Sequence, residues 1–201
     1  MNRDDVELIK HETLFQGFFQ MDRITVRHRL FAGGMGEPVT REVFERGMAA
    51  ACLPYDPERD KLVLIEQFRP GPYTAGDPEP WLIEAVAGVV EPGESVEDVV
   101  QREALEEIGR PVTDLIPIVD FYPTPGGSSE RIALFLGRVD AEGVEGIYGV
   151  DEGEDIRASV VSFDEAMRLF DVGRITNANL ILPLLWLALH RDRLRKSWSA
   201  R

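Results

Sequence analysis

The segment from Gly88 to Arg110 constrains this chain more than any other, because it predicts a helix with well-defined ends and an unusual inner face. Ser95 is a predicted N-cap, and Asp98 stands three residues later, where a capping-box acid is expected. The helix should run to about Ile108 and stop at Gly109, because glycine readily adopts the left-handed conformation that ends helices.

A helical projection of this segment, at about 100° per residue, gathers its apolar side chains into one arc. The arc contains Val96, Val99, Val100, Ala104 and Ile108. Glu103 and Glu107 fall inside the same arc, and Glu106 lies at its edge. Burying an unpaired carboxylate on an inward face costs on the order of several kcal/mol. These glutamates therefore need a partner, or the helix face is a solvated acidic surface with salt bridges.

The residue types around the glutamates indicate which partner is suitable. Arg102 is adjacent in sequence but lies about 100° around the helix, so a divalent cation is the better partner. Carboxylates at positions i and i+4 project together and suit a divalent cation. Oxygen ligands favour Mg²⁺, with Mn²⁺ as the alternative, and the absence of His and Cys from the segment argues against Zn²⁺.

The charge of the chain restricts its partners. A formal net charge of −14 over 201 residues argues against nucleic-acid binding, although bound cations would still admit a phosphorylated substrate.

The N-terminal residues lack the apolar stretch of a signal peptide, and residues 180–189 are too short an apolar run to span a membrane. The single cysteine, Cys52, is expected to be a buried thiol. We therefore expect a cytoplasmic protein without membrane contact.

Hydrophobic patterning predicts many strands and three helices, which is an α+β or mixed α/β arrangement. The predicted strands are residues 18–21, 24–26, 39–44, 48–54, 61–67, 81–90, 116–122, 132–139 and 156–162; the helices are 95–108, 163–170 and 179–195; and 70–80 and 146–155 are predicted loops. Residues 1–45 are a predicted β-rich module with little core of its own, and residues 46–201 form the second domain.

The acidic helix belongs to a longer pattern. The residues Gly88, Glu94, Arg102, Glu103, Glu106, Glu107 and Gly109 match all seven fixed letters of the Nudix box at their required spacing. Ala104 fits the aliphatic position of the box, whereas Arg110 departs from an aliphatic position just beyond the helix. The chain therefore resembles the Nudix hydrolase family. That resemblance implies a mixed β-sheet sandwiched between helices, and hydrolysis of a nucleoside diphosphate linked to another group.

The same resemblance implies roles within the box. Glu103 and Glu107 match metal ligands, Glu106 matches a further ligand, and the carbonyl of Ala87 is expected to join them. Two to three Mg²⁺ ions are implied. Arg102 would orient the glutamates, and Glu94 would form a salt bridge to the helix.

Outside the box, the chain resembles the bacterial ADP-ribose diphosphatase branch of the family. Pro125 stands 15 residues after the box, and similar stretches extend over most of the chain, including residues 12–19, 27–31, 44–47, 64–69 and 151–157. The branch implies cleavage of ADP-ribose to AMP and ribose 5-phosphate. It implies Glu152 as the base that activates water and Glu154 as a further metal ligand. The substrate contacts it implies are Phe18, Phe19, Arg41, Glu42, Arg46, Arg69, Val89, Thr124, Pro125, Gly126 and Glu130.

This branch also implies a homodimer in which the N-terminal module is exchanged, so that Phe18 and Arg41 would serve the partner's site. Two other functions remain open from the sequence. One is hydrolysis of a different nucleoside diphosphate sugar, such as GDP-mannose. The other is binding of ADP-ribose without cleavage, although such modules usually lack box glutamates that this chain retains.

Overall fold

The computed structural model describes residues 1–150 and 153–198, and its chain divides into two compact units. The N-terminal unit contains Met1–Met48 and Tyr122–Arg131. The large unit contains Ala49–Phe121 and the chain from Ile132 onward. Among the described residues, no helix is long and apolar enough to cross a membrane.

The N-terminal unit is built on a three-stranded antiparallel sheet. Its strands, in spatial order, are β1 (Val6–Gln16), β2 (Gln20–His28) and β3 (Val39–Glu45). The prediction of two short strands at 18–21 and 24–26 is wrong, because β2 is continuous and pairs along its length with both neighbours. Phe18 lies in the turn that precedes it.

The sheet of the N-terminal unit has almost no apolar core. Asp22 is the one buried residue in this unit, and its carboxylate accepts a hydrogen bond from Gln20 and lies 2.6 Å from a ring nitrogen of His11. Every residue of β1 except Glu12 is exposed. A sheet that buries so little apolar surface gains little stability by itself.

The large unit contains an eight-stranded sheet. Its strands are β4 (Met48–Asp56), β5 (Lys61–Phe68), β6 (Trp81–Glu84), β7 (Val86–Val89), β8 (Thr113–Phe121), β9 (Arg131–Arg138), β10 (Gly146–Tyr148) and β11 (Ile156–Ser162). Six of them follow the order β10-β11-β5-β4-β9-β8, while β6 pairs with β5 and β7 pairs with β4. The predicted hairpin of residues 48–54 with 61–67 is confirmed by the antiparallel pairing of β4 and β5.

Four helices accompany this sheet: α1 (Pro70–Ala75), α2 (Val96–Ile108), α3 (Phe163–Asp171) and α4 (Ala178–Trp198). Leu62 and Leu64 of β5 belong to the core cluster that includes Leu180 and Leu184 of α4. Val63 and Ile65 alternate with them and are equally buried, so both faces of β5 are covered. The predicted mixed α/β fold is confirmed.

Three boundaries differ from the sequence prediction. The predicted loop at 70–80 begins with the short helix α1, which has proline at its first position, where a missing N–H costs nothing. The segment 81–90 is two strands that pair with different neighbours rather than one. The predicted loop at 146–155 begins with β10, which pairs with β11.

The predicted limits of α2 are confirmed. The hydroxyl of Ser95 accepts a hydrogen bond from the backbone of Asp98, and the Asp98 carboxylate accepts one from the backbone of Ser95. Gly109 ends the helix with φ of 63°. These caps fix where α2 starts and stops, and therefore which face its glutamates present.

Candidate functional site

Glu107 is the most deeply buried acidic residue of α2, with 3% of its surface exposed. α2 packs against β7, and the backbone N–H of Ala87 donates a 3.1 Å hydrogen bond to the Glu107 carboxylate. Burial raises the pKa of Glu107 well above its ordinary value, and the negative charge of Glu103 adds to the rise. The positive charge of Arg69 acts in the opposite direction.

Glu103 lies directly over Gly88 of β7. A Cβ added at Gly88 would come within 1.7 Å of Oε1 of Glu103, so only glycine leaves room for this carboxylate. Burial raises the pKa of Glu103, partly opposed by its hydrogen bond to Arg102. The position of the Glu103 carboxylate therefore depends on glycine at residue 88.

Arg102 contacts Glu103 although the two residues are about 100° apart around the helix. Its Nη1 donates to Glu103 over 2.6 Å and to Glu106 over 3.1 Å, while its Nε donates to Glu94 over 3.0 Å. Its Nη2 also reaches the carbonyl of Val89. The helical projection gives only Cα directions, and the long arginine side chain folds back along the helix. The predicted salt bridge between Glu94 and the helix is present.

A cavity of about 190 Å³ in the large unit collects these carboxylates. It is lined by Arg102, Glu103, Glu106, Glu107, Gly149, Glu154 and Ile156. The negative charge of Glu154 contributes to the raised pKa values of Glu103 and Glu107. The predicted residues of the box and Glu154 are therefore brought together, whereas Glu152 lies outside the described residues.

The donor set of this cavity fits a hard divalent cation. Among the described residues, no Lys, Arg or His forms an ion pair with the buried carboxylate of Glu107, which accepts a hydrogen bond from the N–H of Ala87. Glu103 and Glu106 form ion pairs with Arg102. In the described part of the chain, no group of three or more Asp, Glu, His or Cys side chains is arranged to bind a metal ion. The carboxylates of Glu103 and Glu106 each bond Arg102 through one oxygen, so the other oxygen of each could serve a cation while Arg102 stays in place.

A second group of predicted residues meets in the N-terminal unit. The guanidinium of Arg46 lies 4.7 Å from the ring centre of Phe19, and the rings of Phe19 and Phe44 are 5.0 Å apart. Nε of Arg46 lies 3.1 Å from Glu130 without the geometry of a hydrogen bond, so this contact is ionic. Phe18 is 95% exposed and meets Phe19 edge-on.

The loop that carries Pro125 is tied to β3. The carbonyl of Thr124 accepts hydrogen bonds from Gly127 and Ser128, and the carbonyl of Gly127 accepts one from Phe44. Gly126 lies in the same turn. These bonds place Glu130 beside Arg46 although the two residues are far apart in sequence.

Arg41 and Glu42 are consecutive residues of β3, where side chains alternate between the two faces of the sheet. Glu42 pairs with Arg23 over 2.9 Å, and Arg41 donates to the carbonyl of Thr40. An open concavity of about 700 Å³ in the N-terminal unit is lined by Lys10, Glu12, Arg23, Thr25, Thr40, Arg41 and Glu42.

Glu84 is the partner of a predicted site residue, and it was not identified from the sequence. It is 8% exposed at the end of β6, and it accepts hydrogen bonds from the predicted substrate contact Arg69. The available signal was a single acidic residue inside the apolar run Trp81–Val86. An isolated charge in a predicted strand does not identify its partner, because that partner is set by strand pairing.

Comparison with known proteins agrees with this geometry. The family model described as NUDIX domain matches residues 45–181. The chain is 50% identical to an ADP-ribose pyrophosphatase of Escherichia coli (strain K12), covering 98% of this chain and 94% of the relative. It is 34% identical to a GDP-mannose pyrophosphatase of Cronobacter sakazakii, with coverage of 92% and 96%.

A solved structure supports the fold separately. A crystal structure of an ADP compounds hydrolase superposes with a TM-score of 0.67 at 22% identity, covering 92% of this chain and 95% of that chain.

Proposed function

This chain belongs to the Nudix family, and from that membership we propose that it hydrolyses ADP-ribose to AMP and ribose 5-phosphate. The observation that carries the proposal is the 50% identity, over 98% of the chain, to a relative named ADP-ribose pyrophosphatase. The acidic cavity of the large unit supports it, because a pyrophosphate is a charged and stable electrophile whose hydrolysis needs charge neutralisation.

In this proposal Glu103, Glu106, Glu107, Glu154 and the carbonyl of Ala87 hold two to three Mg²⁺ ions, with Mn²⁺ as the alternative. When bound, such ions neutralise phosphate charge and lower the pKa of coordinated water. Arg102 orients Glu103 and Glu106 through the hydrogen bonds that its Nη1 donates to both carboxylates.

Glu152 is the proposed general base. It accepts a proton from water as the water oxygen bonds to one phosphorus and the bridging P–O bond breaks. The leaving phosphate keeps the electron pair of that bond. Glu154, two residues further along the chain, lines the described cavity, which supports a role for Glu152 in the same reaction.

The proposed substrate contacts divide between the two units. In the large unit, Arg69 and the backbone of Val89 contact the substrate. In the N-terminal unit the contacts are Phe18, Phe19, Arg41, Glu42, Arg46, Thr124, Pro125, Gly126 and Glu130. Phe18 presents a free ring suited to stacking on a purine, whereas one face of Phe19 is already covered by Arg46. Phe18 is therefore the better adenine platform.

We further propose a cytoplasmic homodimer in which residues 1–45, a β-rich module, are exchanged between copies of the hydrolase domain, residues 46–201. The near absence of buried residues in the N-terminal unit supports this, because a second copy would cover its apolar side chains. Phe18 and Arg41 would then serve the partner's site. The single buried thiol, Cys52, suits a reducing compartment.

Incubation with ADP-ribose and Mg²⁺ is expected to release AMP and ribose 5-phosphate in equal amounts, and chelation of the metal should abolish the release. Chromatographic product analysis measures both. A panel that includes GDP-mannose tests the main alternative, which the 34% identical relative favours. A higher kcat/KM for GDP-mannose than for ADP-ribose would contradict the proposal.

Glu152→Gln is expected to lower kcat at least about 100-fold, since a positioned general base typically contributes that much. KM and the melting temperature should stay close to wild type. Steady-state kinetics and thermal unfolding measure these effects, and Glu145→Gln, an exposed acid on the segment before β10, is the matched control. An unchanged kcat would remove Glu152 from the mechanism.

A further inference from the structure

Arg69, the residue after β5, forms an ion pair with Glu84, the last residue of the antiparallel strand β6. Nε of Arg69 donates to Oε2 of Glu84 over 2.8 Å, and its Nη2 lies 2.7 Å from the same oxygen. The side chain of Glu84 is 10% exposed and that of Arg69 is 37% exposed. Among the described residues, no hydrogen bond involves Nη1 of Arg69, so this amino group remains available to donate elsewhere.

The backbones on both sides of this pair are fixed. The N–H of Arg69 donates to the carbonyl of Pro80 over 2.9 Å, and the carbonyl of Arg69 accepts from Tyr73 of α1. Glu84 pairs with Ile65 in the sheet. The preceding residue, Ile83, accepts a 2.6 Å hydrogen bond from the side chain of Asn177, at the start of α4. The remaining freedom of Arg69 is therefore in its side chain, which Glu84 restrains.

A half-buried pair of this kind contributes little to stability by itself, because the cost of removing the charges from water offsets much of their attraction. Its location gives it another use. Glu84, which holds Arg69, lies three residues before Ala87, and the N–H of Ala87 donates to the Glu107 carboxylate of the acidic cavity. A planar guanidinium with donors on fixed vectors suits recognition of phosphate oxygens only if its orientation is held.

We propose that Glu84 is a positioning residue that fixes the guanidinium of Arg69 beside the acidic cavity, with Nη1 directed at the pyrophosphate. This inference rests on the proposed function for its substrate. Glu84 acts through Arg69 and does not touch the substrate. Strand β6 fixes the position of Glu84, Glu84 orients the guanidinium of Arg69, and Arg69 binds a phosphate oxygen.

The test is a double-mutant cycle of Glu84→Gln and Arg69→Ala, with KM, kcat and ADP-ribose binding to the metal-free protein as readouts. Glu84→Gln is expected to raise KM and the dissociation constant about 10-fold and to leave kcat within about twofold, because it weakens uniform substrate binding. In the Arg69→Ala background, Glu84→Gln should have no further effect, since the group it orients is gone.

Two controls separate positioning from a general structural role. Glu84→Asp keeps the charge but shortens the reach to Arg69, so it should raise KM as Glu84→Gln does; it also replaces that variant if the glutamine protein fails to fold. Glu165→Gln breaks the exposed pair with Arg168 on α3 and should leave KM unchanged.

The inference is overturned if Glu84→Gln and Glu84→Asp have wild-type KM, or if Glu84→Gln raises KM equally with and without Arg69. A shift in melting temperature with unchanged KM would indicate a structural pair only. Failure of the wild-type protein to cleave ADP-ribose would instead contradict the proposed function. The cycle would then be measured with the nucleoside diphosphate sugar that the wild-type protein cleaves best.

Discussion

Glu107→Gln is expected to lower kcat by about 1,000-fold while making the metal-free protein more stable. The loss of activity follows from removing a ligand from a cation that contributes several kcal/mol to transition-state stabilisation, since about 4 kcal/mol corresponds to a factor of about 1,000. The gain in stability follows from the burial of Glu107, whose charge has no ion-pair partner among the described residues. Neutral glutamine keeps the acceptor for the N–H of Ala87.

The stability gain should depend on pH in a definite direction. Because the folded protein raises the pKa of Glu107, the ionised carboxylate destabilises the fold, and wild-type stability is lost as pH rises from the ordinary value of 4.5 towards the raised one. The melting temperature of the variant should therefore exceed that of wild type by an amount that grows above pH 4.5. Each kcal/mol relieved corresponds to roughly 2–4 °C in a chain of this size.

With bound metal, the wild-type protein should become more stable than Glu107→Gln. An ion that binds only the folded wild-type site stabilises the folded state by mass action. Thermal unfolding with chelator and with saturating Mg²⁺ measures both states. Glu97→Gln, on the exposed side of the same helix, is the matched control and should change neither activity nor the response to metal. A metal-free variant less stable than wild type at pH 7 would show that the buried charge of Glu107 does not destabilise the fold.

Gly88→Ala is expected to cost about 1,000-fold in kcat with little loss of stability. The added methyl group would overlap Oε1, Cδ and Cγ of Glu103 at 1.7, 2.2 and 2.6 Å, so the carboxylate must leave its position. A flexible side chain can move at modest cost, and φ of Gly88 is not in the left-handed region, so the backbone tolerates alanine. The loss of one metal ligand then sets the size of the effect.

Gly71→Ala is the matched control for this substitution. No atom lies within 4 Å of a Cβ at Gly71, which is in α1, so kinetics and Mg²⁺ affinity should remain at wild-type levels. The measurements are kcat, Mg²⁺ titration and melting temperature for both variants. A Gly88→Ala protein that binds Mg²⁺ with wild-type affinity would show that Glu103 is not needed where the structure places it.

The features that sequence reasoning predicted well are local ones. Ser95, Asp98 and Gly109 define the limits of α2 through contacts within a few residues, so helix geometry was enough to place Glu107 in the apolar arc. The box residues could be recognised because they lie close together in sequence, within one loop and one helix.

The features it missed depend on contacts distant in sequence or on side-chain length. Glu84 meets Arg69 only because β6 pairs with β5, and no spacing rule encodes that pairing. The bond from Arg102 to Glu103 could not be derived from the helical projection, since the projection describes Cα positions rather than the reach of a long guanidinium. The contact of Arg46 with Glu130 needs the loop of residues 123–127 to return to β3.

That return of the loop has a consequence for protein engineering. The N-terminal unit is assembled from two stretches of chain, Met1–Met48 and Tyr122–Arg131, and Phe44 is bonded through its backbone to Gly127 and Ser129 of the second stretch. A chimaera that grafts only the first stretch from a relative would leave Glu130 and the loop before it facing foreign neighbours. An exchange of the N-terminal unit between relatives therefore has to transfer both stretches together.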